Sequence, residues 1–131
     1  MEEPLTGFQL LLEDNRFKKA INLFNSADWY SAHDAFEELW HEANGPERVT
    51  LQGFLQIAVA HIHLESGNLN GATILYGEAL GRLKNIGIPD LGVDIETLCE
   101  CINQRLSLLQ EDRDPDQFSV PFLTKRDERD S

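Results

Sequence analysis

The stretch ERVTLQGFLQIAVAHIHLES, residues 47–66, reads as the centre of the molecule. Nine of the fourteen residues from Leu51 to Leu64 are apolar, and they spread round most of a helical circumference, so a helix here must be surrounded by others. Pro46 and Glu47 suit its first turn and Gly67 closes its end. Upstream, Asp28 is a natural N-cap for a helix from Trp29 to about Ala43, joined to the central one by Asn44-Gly45-Pro46. Before that, Phe17, Ala20, Ile21 and Phe24 line one face of a helix over about Asn15–Asn25. The apolar run from Thr6 to Leu12 either extends that helix or packs as a separate turn. Downstream, Asn68 can cap a helix reaching about Ile86, with Ala72, Leu75, Tyr76, Ala79, Leu83 and Ile86 on one face, stopped by Gly87 and Pro89. Asp94 then caps a last helix, whose Ile95, Leu98, Cys99, Ile102, Leu106 and Leu109 keep the helical spacing.

No strand alternation is visible, and the connections are short. The expectation is therefore an all-α fold, a single compact bundle of about five antiparallel-packed helices over residues 1–112. Residues 113–131 form an acidic, polar tail whose apolar knot of Phe118, Val120, Pro121, Phe122 and Leu123 would dock back on the domain. Residues 26–40 and 66–80 share Ser, Ala, an aromatic and Glu at an offset of 40 (Ala32/Ala72, Phe36/Tyr76, Glu38/Glu78), a faint sign of tetratricopeptide-like hairpins. The offset does not recur in the last helix, which sets a solenoid aside.

The chain has 131 residues, 23 of them acidic and 11 basic, for a formal charge of −12. Without a Lys/Arg stripe there is nothing to neutralise phosphates, so nucleic acid and anionic membrane surfaces are not expected partners. No run of about 18 apolar residues is present to span a bilayer. The N-terminal MEEPLTGFQLLLEDNR carries acids where a signal or transit peptide avoids them, giving a cytoplasmic or plastid-stromal expectation. Cys99 and Cys101 point to nearly opposite sides of a helix and read as a core filler and an incidental thiol.

The chemistry worth locating lies on two helices. On the wheel of the Trp29–Ala43 helix, Glu37 falls about 40° to one side of His33 and Trp40 about 20° to the other, which puts His33 and Glu37 on the rim of the buried face. On the central helix, Gln52 and Gln56 fall within about 20° of His63 and form a narrow polar stripe, while His61 points about 160° away from it. A polar stripe on a buried helix must find partners, since an unpaired amide or imidazole inside costs about 1–3 kcal/mol. The tight Gly-Pro turn makes the His33/Glu37 rim the expected partner.

Two readings stay open. In one, His33, Glu37, Trp40, Gln52, Gln56 and His63 line a pocket for a small polar ligand or a divalent metal. His33, Glu37 and His63 would be the metal ligands, two imidazoles and a carboxylate, as in a metal-dependent hydrolase, with Glu38 a distant candidate base. In the other, the same residues are a hydrogen-bond network that locks a non-catalytic helical interaction module, whose acidic surface meets a basic protein partner or a second copy of the chain. Gly53 and Gly71 would permit close helix approach. No phosphate loop, nucleophile elbow or paired Cys-x-x-Cys motif occurs.

These residues carry a family likeness. Phe24-Asn25, then Trp29-Tyr30-Ser31-Ala32-His33-Asp34 and Glu37-Glu38-Leu39-Trp40, followed by Leu51-Gln52-Gly53-Phe54-Leu55-Gln56-Ile57-Ala58-Val59-Ala60, His63-Leu64, Gly67-Asn68 and Gly71-Ala72, resemble the signature of the domain of unknown function 309 family over about Ala20–Leu83. The resemblance implies a small, all-helical protein of bacterial, archaeal or plastid type. It also implies that His33, Glu37, Trp40, Gln52, Gln56 and His63 are the signature polar and aromatic positions. Ser31 and Asp34 stand where the family tends to have Glu. The family carries no established activity to transfer.

Overall fold

The computed structural model describes residues 6–126; the parts of the expected domain and tail at 1–5 and 127–131 lie outside the described residues. Among the described residues six α-helices follow one another: α1 (Gly7–Glu13), α2 (Asn15–Asn25), α3 (Trp29–Glu42), α4 (Glu47–Glu65), α5 (Leu69–Leu83) and α6 (Ile95–Gln110), with a 3₁₀ turn at Pro115–Gln117. Among the described residues there is no strand, only an isolated antiparallel bridge between Val93 and Lys125. The expected count of about five is corrected to six because Gly7–Glu13 forms a helix of its own. Thr6 opens it with a capping box, its hydroxyl accepting from the Gln9 N–H while Gln9 Oε1 accepts from the Thr6 N–H at 2.8 Å. Asp14 both ends α1 and caps α2, accepting from the Arg16 N–H at 2.8 Å.

The helices pack in chain order, with α4 between α3 and α5. Leu51, Phe54, Ile57, Ala58 and Ala60 of α4 are wholly buried, as the apolar density of 47–66 requires. Two of the connections are the same turn. After α2, Ser26 (φ −90°, ψ 3°), Ala27 (φ 60°) and Asp28 (φ −87°, ψ 76°) reverse the chain. After α4, Ser66 (φ −90°, ψ 2°), Gly67 (φ 80°) and Asn68 (φ −87°, ψ 78°) do so in the same way. In each, the left-handed residue allows the next N–H to reach back to the third-last helical carbonyl, Asp28 to Leu23 at 3.0 Å and Asn68 to His63 at 2.8 Å. The 40-residue echo in the sequence is thus a repeated helix–turn–helix hairpin, α2–α3 and α4–α5.

The helix expected to reach Ile86 ends at Leu83, and Ile86 is 98 % exposed. Gly87 (φ 99°) and Pro89 stop helical propagation far enough upstream that Ile86 leaves the core face and swings into solvent. The segment from 84 to 94 returns as irregular chain, tied to α4 where the Thr50 hydroxyl donates to the Pro89 carbonyl at 2.7 Å. Beyond α6 the chain runs back along the bundle. Asn25 clasps Leu123 from both sides, accepting its N–H at 2.7 Å and donating to its carbonyl at 3.2 Å. Pro121 and Leu123 are buried, whereas Phe118, Val120 and Phe122 are exposed.

Candidate functional site

The six residues singled out from the sequence sit on α3 and α4, but the partners they choose differ from the expected ones. His33 Nε2 lies 3.0 Å from Glu37 Oε2, one turn along α3, and His33 Nδ1 lies 3.1 Å from Asp34 Oδ1. The other Glu37 oxygen is 3.5 Å from His41 Nε2. Glu37 is therefore held by two imidazoles of its own helix. On α4, Gln56 turns to α5, its Nε2 donating to Glu78 Oε2 at 2.8 Å. His63 Nδ1 lies 3.2 Å from Asn68 Nδ2 in the α4–α5 turn. Gly71 makes room for that contact, since a Cβ there would meet Asn68 at 2.7 Å and the His63 ring at 3.0 Å; a Cβ on Gly53 would likewise meet Leu83 at 2.6 Å.

The expected pairing of the α4 stripe with the His33/Glu37 rim is thus corrected for Gln56 and His63. The physical reason is the direction of the buried face. Phe54 and His61 point at Phe36 and Trp29 of α3, so the opposite side of α4, which carries Gln56 and His63, turns away from α3's aromatic contact and toward α5. Among the described residues no group of three or more His, Cys, Asp or Glu could hold a metal ion. His33, Glu37 and His63 do not form such a group. Glu38, suggested as a base, is tied instead to Arg16 of α2 at 3.0 Å, and the same guanidinium takes Glu42 at 2.6 Å and Asp14 at 2.9 Å. Those hydrogen bonds to Arg16 hold the Glu42 and Asp14 carboxyls below their ordinary range.

Two atoms of the set lack partners. Trp40 Nε1 and Gln56 Oε1 are buried side-chain atoms with no hydrogen-bond partner among the described residues, a donor on α3 and an acceptor on α4. The Trp40 ring itself lies under the Arg48 guanidinium, 4.0 Å from its centroid, and Arg48 Nε donates to the Trp40 carbonyl at 3.2 Å. Ser31, where the family tends to have Glu, is the third residue of α3; it is exposed, and its N–H donates to Asp28 Oδ1. A Glu at that place would complete a capping box, a role in helix initiation.

The most deeply buried polar chemistry lies on the other side of α4 and was missed from the sequence. His61 stacks on Trp29 with centroids 4.2 Å apart, and its Nε2 is 2.6 Å from the Tyr76 hydroxyl. Arg105 of α6, wholly buried, donates from Nε to the Tyr76 oxygen at 2.8 Å. Because a guanidinium only donates, the Tyr76 oxygen accepts from Arg105 and its own O–H points at His61 Nε2, which must then be unprotonated. Burial, reinforced by the Arg105 charge, pushes the His61 imidazole down to about 3, and burial pushes the Tyr76 phenol up to about 12. Arg105 continues outward to the Phe118 carbonyl at 2.9 Å, the Ser119 carbonyl at 3.3 Å and Asp116 at 2.9 Å. One signal pointed here: His61 shares its wheel face with Phe54, about 20° away, so a histidine stood on the apolar side of the most buried helix.

With this geometry in view, the family can be tested over the hairpins. Residues 17–75 match the profile of DUF309, a domain of unknown function. Over that span the chain is similar to DUF309. The match runs from Phe17 in α2 to Leu75 in α5, so it contains all six of the residues singled out from the sequence and also His61. Tyr76, Glu78 and Arg105, which complete the hydrogen bonds of His61 and Gln56, lie beyond the DUF309 match. No curated protein matches the chain. Among the described residues, no helix is long and apolar enough to cross a membrane.

Proposed function

We propose that this protein is a non-catalytic helical binding module, and that its signature polar residues order the surface of α3 and set how α4 and α5 meet. The observation that carries this reading is where the signature side chains find their partners. Glu37 is held by His33 and His41, Gln56 by Glu78, and His63 by Asn68, each within its helix or across the adjoining hairpin. Groups engaged in this way hold register and orientation; a metal centre would need them to converge on one point. The test is elemental analysis of the purified chain and of His33→Ala. We expect neither to hold stoichiometric zinc, manganese or nickel, and His63→Ala to lower the melting temperature. A stoichiometric ion that is lost in His33→Ala would overturn the reading in favour of a metal enzyme.

A second reading, binding of a small polar ligand by the signature residues, is favoured by one observation. Trp40 Nε1 on α3 and Gln56 Oε1 on α4 are a buried donor and a buried acceptor with no hydrogen-bond partner among the described residues. A small polar molecule or an ordered water at either atom would satisfy it. On this reading a small amide such as acetamide or urea, at low concentration, raises the melting temperature of the wild type and does nothing for Trp40→Phe.

A further inference from the structure

One open cavity among the described residues touches none of the signature residues. It is an open groove of about 1070 Å³ between α1, α2, the 87–93 loop and the chain at 123–126. That is at the upper end of the roughly 300–1,000 Å³ typical of small-molecule sites. Its floor is apolar, built from Leu12, Phe17, Ile21, Leu91, Val93 and Leu123. Its wall is fixed by the Thr50 hydroxyl bond to Pro89, by the Arg126 N–H bond to the Gly92 carbonyl at 2.9 Å, and by an ion pair of Arg126 with Asp90.

The charge along this groove has the opposite sign to the chain as a whole. Lys18, Lys125 and Arg126 line it, and the one carboxylate among the described lining residues, Asp90, is bound to Arg126. Lys18 and Lys125 have no acidic partner among the described residues. In a chain of formal charge −12, two ammonium groups with no acidic partner among the described residues, beside an apolar floor, define a local complement for an anion with an apolar body. At physiological ionic strength charges beyond about 8 Å are largely screened, so the cations that line the groove weigh most on a bound headgroup. The volume is that of a small-molecule site, which argues for a small occupant.

We propose that this groove binds a fatty-acid-like carboxylate, its acyl chain laid along the floor and its headgroup at Lys18 and Lys125. The inference is independent of the role given to the signature residues. The test is calorimetric titration of the full chain with dodecanoate below its micelle concentration. Saturable one-to-one binding is expected, weakened about tenfold or more in the double variant Lys18→Glu, Lys125→Glu and about as much when dodecanol replaces the acid. Both lysines are exposed, so the double variant should melt with the wild type, and Leu12→Glu, at a half-open floor position, should abolish binding without unfolding. Absence of saturable binding, equal affinity for dodecanol, or undiminished binding by the lysine variant would each overturn the proposal. So would a dimer that Leu12→Glu dissociates, since a second copy would then fill the groove.

Discussion

The α2–α3 and α4–α5 hairpins share one turn and differ in what they bury. In the first, Phe17, Phe24, Trp29 and Phe36 pack edge to face, with Phe24 and Trp29 centroids 5.1 Å apart at 89° and Phe24 and Phe36 6.3 Å apart at 77°. In the second, the position equivalent to Phe36 is Tyr76, and its hydroxyl brings His61 and Arg105 into the core. The same backbone thus accepts either filling. The apolar hairpin needs only neighbours of the right shape, whereas the polar one needs a third party, Arg105, carried on a helix outside both hairpins. Arg105 in turn reaches the carbonyls of Phe118 and Ser119, so the polar hairpin is coupled to the returning segment through a buried guanidinium, whereas the apolar one hydrogen-bonds it through Asn25.

The largest effect that would break this contrast comes from Phe36→Ala and Arg105→Ala. Each should lose about 3–5 kcal/mol in urea unfolding, the first by cavity formation and the second by stripping buried hydrogen bonds and stem packing. Only Arg105→Ala should also expose the 113–123 segment to limited proteolysis; release in both would erase the distinction.

Acid should find the polar hairpin next. The folded imidazole of His61 holds its proton only near pH 3, far below its ordinary 6.5, so on acidification the unfolded chain binds the proton first. Stability contributed by the neutral ring is complete above pH 6.5 and falls by up to about 1.4 kcal/mol per pH unit below it. The groups facing the ring are Trp29, Tyr76, Arg105 and, through Arg105, Asp116. Thermal melts between pH 6.5 and 5 should show this decline in the wild type and a flatter profile in His61→Gln; parallel profiles would remove His61 as the cause.

Exchanging the equivalent aromatics should be smaller and reciprocal. Tyr76→Phe strands a buried Arg105 N–H and His61 Nε2, and Phe36→Tyr inserts a hydroxyl among aromatic rings, so each should destabilise by about 1–3 kcal/mol although each makes one hairpin more like the other. The smallest effect lies in the shared turn. Ala27 occupies the left-handed conformation that Gly67 occupies without a Cβ. Ala27→Gly should therefore gain, and Gly67→Ala lose, about 1 kcal/mol by chemical denaturation. Equal responses of the same sign would mean that the turns are not equivalent.

Much of this architecture was legible residue by residue. Asp28, Asn68 and Asp94 cap the helices that follow them because a short polar side chain can accept from the third N–H of the next turn, a relation confined to four residues. The 40-residue echo marked the repeated hairpin for the same local reason. The extra helix α1 was open to two readings because its capping box and the double role of Asp14 concern only seven residues of weak periodicity. The candidate site was less legible. The wheel separated the Gln52, Gln56 and His63 stripe from the side of His61, yet it could not say which neighbour each side would meet.

That last choice belongs to the tertiary structure. The sequence alone determined that the chain is helical, where most helices begin and turn, that 47–66 lies at the centre, and that residues 17–75 share a family, because these depend on spacing along the chain. The fold decided that Gln56 would meet Glu78, that His61 would meet Tyr76 and Arg105, and that two lysines distant in sequence would share one apolar groove. A central helix has a neighbour on each flank, and the flank taken by each polar side chain depends on how all six helices jointly bury their apolar faces, a condition that no local window contains.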